Sequence, residues 1–102
     1  MQNTKLGLIE IDSQYVGEWK KWGVKLMGEL RAGAIETLKE EGLTQEHMFL
    51  IELDGKTYLG FFTEGEGKPA NLEKEINQKH RALLDKSRIR KISGEQIYPL
   101  SI

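Results

Sequence analysis

The dipeptide Asp54-Gly55 constrains this chain more than any other feature. It sits between two apolar runs, Glu46–Leu53 and Lys56–Glu64, and a two-residue type I′ turn needs positive φ at both central positions. Asp-Gly meets that need at little steric cost, so the spacing predicts two strands joined in a hairpin. The turn fixes the register: Leu53 opposite Lys56, Ile51 opposite Tyr58, Phe49 opposite Gly60 and His47 opposite Phe62. Alternation then sends Phe49, Ile51, Leu53, Tyr58 and Phe62 to one face. Met48, Leu50, Leu59 and Phe61 go to the other, with Glu52 and Thr57 near the turn. Both faces are largely apolar. A sheet with helices on one side and water on the other alternates apolar with polar, and an apolar patch of this extent is not left in water. A second copy packed through Phe49, Ile51, Tyr58 and Phe62 is the simplest cover, because closed two-fold dimers are the commonest oligomers. The alternative is that the long C-terminal segment folds back over the face.

The flanking segments supply the remaining elements. Leu6–Ile11 reads as a strand, and Asp12-Ser13 offers N-cap chemistry for a helix. From Tyr15 to Glu41 the apolar residues Tyr15, Trp19, Trp22, Leu26, Leu30, Ala34 and Leu38 fall at helical spacing, and Gly42 ends the run. Gly17, Gly23, Gly28 and Gly33 lie inside it, each costing about 1 kcal/mol relative to alanine. A bend or break is therefore expected between Gly23 and Gly28. Gly65–Pro69 is a loop, and Asn71 is expected to cap a second helix with Glu73 and Glu75 in its first turn, ending near Lys86. Arg88–Ile102 reads as a last strand interrupted near Ser93-Gly94. With right-handed crossovers, this order predicts a single α+β domain over residues 1–102, ferredoxin-like βαββαβ. Its four-stranded antiparallel sheet would carry both helices on one face.

Composition excludes several classes of function. Fifteen basic against sixteen acidic residues give a net charge of −1, which leaves no electrostatic footprint for nucleic acid. The absence of cysteine removes disulfides, thiolate nucleophiles and thiolate metal sites. The start Met1-Gln2-Asn3-Thr4-Lys5 is polar and the apolar run after it ends at Glu10, unlike a signal peptide. No stretch approaches the roughly 18 apolar residues of a membrane span, so no membrane association and a cytoplasmic location are expected. Gly65-Glu-Gly-Lys lacks the spacing of a phosphate loop. Neither His47 nor His80 has a ligand partner at helical spacing, so no metal site is expected, and no serine sits in a nucleophile elbow.

His80 is the side chain with most chemical promise. It continues the stripe Leu72, Ile76, Leu83 and Leu84, which turns its imidazole toward the sheet as a general acid/base, or simply as a satisfied buried histidine. Glu52 is a carboxylate on the helix-facing side of an apolar strand, so it is a second catalytic candidate. The hairpin turn, the start of the first helix and the end of the second share one end of the sheet. Trp19, Trp22, Glu52 and His80 are therefore expected to converge on a cleft suited to a small molecule. Arg31 and Arg81, with Tyr58, are the remaining candidates for ligand contact.

The run Glu29–Glu41, Gly42, the strand His47-Met-Phe-Leu-Ile-Glu and the segment His80-Arg-Ala-Leu-Leu-Asp resemble a small bacterial family of unassigned function. Its layout is similar to the dimeric α/β-barrel superfamily, in which two ferredoxin-like sheets pack into a barrel. The resemblance implies dimerisation and small-molecule chemistry, since the superfamily includes sugar mutarotases and monooxygenases, some of them haem-degrading. The mutarotases carry a histidine on the first helix, which this chain lacks. His80 matches the second-helix histidine of the haem-degrading members, but Leu6–Ile11 offers no asparagine for their first-strand position. The expected function is small-molecule binding or conversion in a sheet–helix cleft, with no cofactor specified. A non-catalytic dimeric structural or regulatory module and a haem-binding or monooxygenase-like protein using His80 are the alternatives.

Overall fold

A computed structural model describes residues 3–102 of the chain. Met1 and Gln2, the first residues of the polar start, lie outside the described residues. The elements run β1 (Thr4–Ile11), a 3-10 turn (Ser13–Tyr15), α1 (Val16–Met27), α2 (Arg31–Glu40), β2 (Leu43–Leu53), β3 (Lys56–Gly65), α3 (Glu75–Ser87) and β4 (Arg88–Ser93). The four strands form one sheet in the order β2-β3-β1-β4, with every neighbouring pair antiparallel. One strand–helix–strand passage joins β1 to β2 and a second joins β3 to β4, and the two interleave. Among the described residues, no helix is long and apolar enough to cross a membrane.

The hairpin forms in the register its turn dictates. Leu53 pairs with Lys56, Ile51 with Tyr58, Phe49 with Gly60 and His47 with Phe62. Asp54 (φ 52) and Gly55 (φ 75) both take positive φ, as the turn requires. Glycine likewise decides where the first helical segment breaks. α1 stops after Met27, Gly28 takes φ −113 and ψ −105, and α2 starts at Arg31, so the molecule has three α-helices rather than two. The break falls just past the expected Gly23–Gly28 interval, at the residue best able to leave helical geometry. Gly42, at φ 71, closes α2.

Two expected boundaries are corrected. Asn71 caps a turn ahead of the helix: its Oδ1 accepts from the Glu73 N–H at 3.0 Å and its carbonyl from the Lys74 N–H at 3.2 Å. This local bonding competes with helix formation, so α3 begins at Glu75 and Glu73 precedes it. The last strand ends at Ser93, where the Gly94 N–H makes the final ladder bond to the Leu6 carbonyl at 2.8 Å. Beyond it β1 has little length left to pair with, and Pro99 has no N–H to donate. Residues 95–102 have no regular secondary structure, are exposed, and leave the open sheet face uncovered.

The core lies between the sheet and the helices. Ile9, Ile11, Trp19, Trp22, Leu59 and Leu83 are buried together, with Leu26, Phe61, Ile76 and Leu84 packed against them. The Trp19 indole N–H donates to Ser87 Oγ at 3.1 Å, and the Asp12 N–H donates to the Ser87 carbonyl at 2.9 Å. These bonds tie the start of α1 to the end of α3. On the opposite face Leu6, Phe49, Ile51, Leu53 and Ile92 are exposed. Tyr58, expected in that apolar patch, is itself buried. It stands opposite Glu10, whose carboxylate accepts from Arg90 Nε at 2.7 Å.

Candidate functional site

Trp19 and Trp22 are three residues apart on α1, so both indoles turn to the same side and meet His80 of α3. The Trp22 indole N–H donates to His80 Nδ1 at 3.0 Å. The Trp19 ring stands edge-on to the imidazole, with centroids 5.5 Å apart and an interplanar angle of 81°. An indole nitrogen is only a donor, so Nδ1 is the acceptor and the neutral ring carries its proton on Nε2. Nε2 has no protein partner among the described residues and is not sealed from solvent. Burial pushes the His80 pKa below the ordinary histidine value. The Glu46 charge pulls it back up, and the Arg81 charge pushes it further down. The result is an oriented, neutral imidazole with one N–H to offer.

Two hollows meet at this ring. The larger, about 500 Å³, lies among α1, α2, α3 and the sheet and is lined by Trp22, Thr37, Glu41, Glu46, His80 and Arg81, among others. The smaller, about 260 Å³, lies between α1 and β2 and is lined mainly by Trp19, Trp22, Leu26, Met48, Leu50 and His80. The first is polar-rimmed and the second is largely apolar. Glu41 faces the larger hollow, and its pKa is raised, first by burial and then by the charges of Glu46 and Glu40. Its carboxyl thus holds a proton more readily than an ordinary glutamate.

The expected convergence is met by Trp19, Trp22 and His80 but not by Glu52. Glu52 is exposed and lines a separate hollow at the hairpin turn with Ser13, Asp54 and Lys56. The reason is the position of His80 along α3. Ser87, seven residues later, is the residue that meets the turn end of the sheet, so His80 lies about 10 Å further up the helix axis. At that level the helix-facing acid of β2 is Glu46, not Glu52. Both have the same parity along the strand, so the alternation that marked Glu52 also marks Glu46. Arg81 lines the larger hollow with His80. Arg31 lines a third hollow, about 460 Å³, between the α1–α2 elbow and the start of β2. Tyr58 is on the other sheet face. Glu41, at the end of the helical run, carried no sequence signal beyond its charge. The chain matches no protein-family model, no curated protein and no solved structure, so its own geometry carries the functional reading.

Proposed function

We propose that this chain is a small-molecule-binding protein whose ligand sits between helices and sheet beside His80. The observation that carries the reading is the Trp22–His80 hydrogen bond. It spends one ring nitrogen on orientation and leaves the other, as an N–H unpartnered among the described residues, on a ring that lines an aromatic-walled hollow. A compact, largely apolar molecule with one acceptor oxygen fits such a surface. The groups able to move a proton are His80 and, across the larger hollow that His80 also lines, the Glu41 carboxyl with its raised pKa. The haem reading of His80 is less well supported. Axial ligation needs a free ring lone pair, and here Nδ1 is occupied by the indole N–H while Nε2 holds the proton.

The strand order and antiparallel pairing support a ferredoxin-like classification. The exposed Phe49, Ile51, Leu53 and Leu6 support a homodimer through the open sheet face, as in dimeric α/β barrels. Native mass spectrometry on gently purified protein, followed by thermal-shift screening with small aromatic carbonyl compounds, tests the proposal. A dimer carrying extra non-covalent mass, or a compound whose stabilisation is lost in a folded His80→Ala variant, is the expected result. Bare protein that no compound stabilises would overturn it in favour of a non-catalytic module.

A further inference from the structure

We propose that residues 95–102 of a second copy lie along the free edge of β2 and fill the hollow between that edge and the α1–α2 elbow. The inference needs two copies of the chain, as the reading above does, but not contact between the open sheet faces.

The two edges of the sheet differ. β4 is six residues long and carries Arg88, Arg90 and Lys91, which discourage strand addition. β2 is eleven residues long, bonds only to β3, and carries no acid, lysine or arginine from His47 to Ile51. Its outer N–H and C=O groups form an open template. Beside them the hollow of about 460 Å³ is lined by Leu26, Met27, Ile35, Leu38 and Met48. Met27 and Ile35 are 67% and 41% exposed, so this apolar wall is unfilled.

The C-terminal segment has the complementary chemistry. Ile97 and Leu100 are 91% and 90% exposed, and Tyr98 and Ile102 are exposed as well. In an extended chain Tyr98, Leu100 and Ile102 present their side chains to one face and their N–H and C=O groups to one neighbour. Pro99 then points its missing N–H away from the template, where an edge strand tolerates proline. This is strand addition with side chains in adjoining pockets.

Tyr98 and Leu100 of the same chain do not reach this edge. The segment is held at β1, through the Gly94 N–H on the Leu6 carbonyl and the Gln96 side chain on Thr4. From β1 to a position outside β2 is three strand spacings, about 14 Å, which takes at least about four residues. Tyr98 and Leu100 would be spent on the crossing and could not pair with the edge. A second copy meets no such limit. The hollow shares Gly23, Leu26, Glu46 and Met48 with the apolar hollow beside His80, so the partner's segment would also wall the candidate site.

The chain has no cysteine, so single cysteines can be placed at will. Ile35→Cys and Leu100→Cys, made in two chains of different tag mass and mixed, are treated with a short bis-maleimide. The expected product is the mixed cross-linked dimer. Only an intrachain link in the Ile35→Cys/Leu100→Cys double variant, or no mixed product, overturns the proposal. Truncation after Gly94 should weaken the dimer at least about tenfold and speed amide exchange over residues 44–50 in the same sample. Unchanged exchange there also overturns the proposal. Leu6→Asp, on the open face of the interior strand β1, reports on that face separately: a dimer lost in that variant but kept after truncation supports the face contact and refutes the segment.

Discussion

Trp22→Phe isolates the bond on which the functional reading depends. The substitution keeps an aromatic ring in the core and removes the donor that reaches His80 Nδ1 at 3.0 Å. An acceptor left unsatisfied in a buried site costs about 1–3 kcal/mol. His80 is half-buried beside two hollows, and water can partly replace the indole, so the lower end, about 1 kcal/mol, applies. Exchanging the larger indole for a phenyl ring in a buried position adds about 1 kcal/mol of lost packing. The sum, about 2 kcal/mol, is a large share of the ~5–15 kcal/mol of a domain this size and corresponds to a Tm lower by roughly 8–12 °C. The pH dependence is more diagnostic. The indole N–H bonds the neutral imidazole and opposes protonation at Nδ1, so its loss should raise the His80 pKa. In the native protein that pKa lies below the ordinary 6.5, chiefly through burial. The associated stability is therefore present above about pH 6.5 and is lost as the pH falls through the lower folded value. The variant should lose less over that window than the native chain. Urea unfolding at about pH 7 and about pH 5, with the His80 ring followed by NMR, measures both effects. A His80 midpoint that stays put or falls in Trp22→Phe would refute the reasoning, whatever happened to the Tm.

Two further substitutions test local physics. Gly65 sits at φ 131, and a Cβ there would run into the Gly42 carbonyl oxygen and lie 2.7 Å from Leu43 Cα. Gly65→Ala is expected to cost at least about 2 kcal/mol, read as a lower urea midpoint, and a change within about 0.5 kcal/mol would contradict the close approach. Glu41 has a raised pKa, so its effect is favourable while protonated and is lost as pH rises through the folded value. Glu41→Gln should therefore be more stable than the native chain near neutrality, with the gain vanishing below the ordinary glutamate value of 4.5. A variant less stable at neutral pH would mean that the charge is engaged.

What was legible in the sequence follows from how local the information is. The hairpin register needed only Asp54-Gly55, because a two-residue turn leaves the strands no freedom to slip. The helix break was legible to within a turn, because glycine density weakens a segment without saying which glycine yields. The start of α3 is not legible, because Asn71 is equally suited to capping a helix and to closing a turn before it, and the sequence does not separate the two. The Trp22–His80 contact was half legible: spacing put both side chains on the inner faces, but only packing brings their nitrogens together. Glu52 shares an end of the sheet with the start of α1 and the end of α3, but a shared end is not a shared site. The level of a residue along its helix matters as much as the end at which the helix stops.

That distinction also ties the site to the assembly. Because His80 lies up α3 rather than at its end, its hollows open toward the first half of β2, where Glu46 and Met48 sit, and not toward the hairpin turn. The first half of β2 borders the exposed α1–α2 elbow, whose hollow shares Met48 and Leu26 with the apolar hollow at His80. Anything that pairs with the β2 edge therefore adds a wall to the place where a ligand would lie. A free edge is ordinarily blunted by charge or proline, and β2 carries neither in its middle. The same unblunted stretch, open to strand addition, lines the apolar hollow at His80. Ligand affinity and dimer affinity should accordingly rise and fall together, since each orders the strand the other uses.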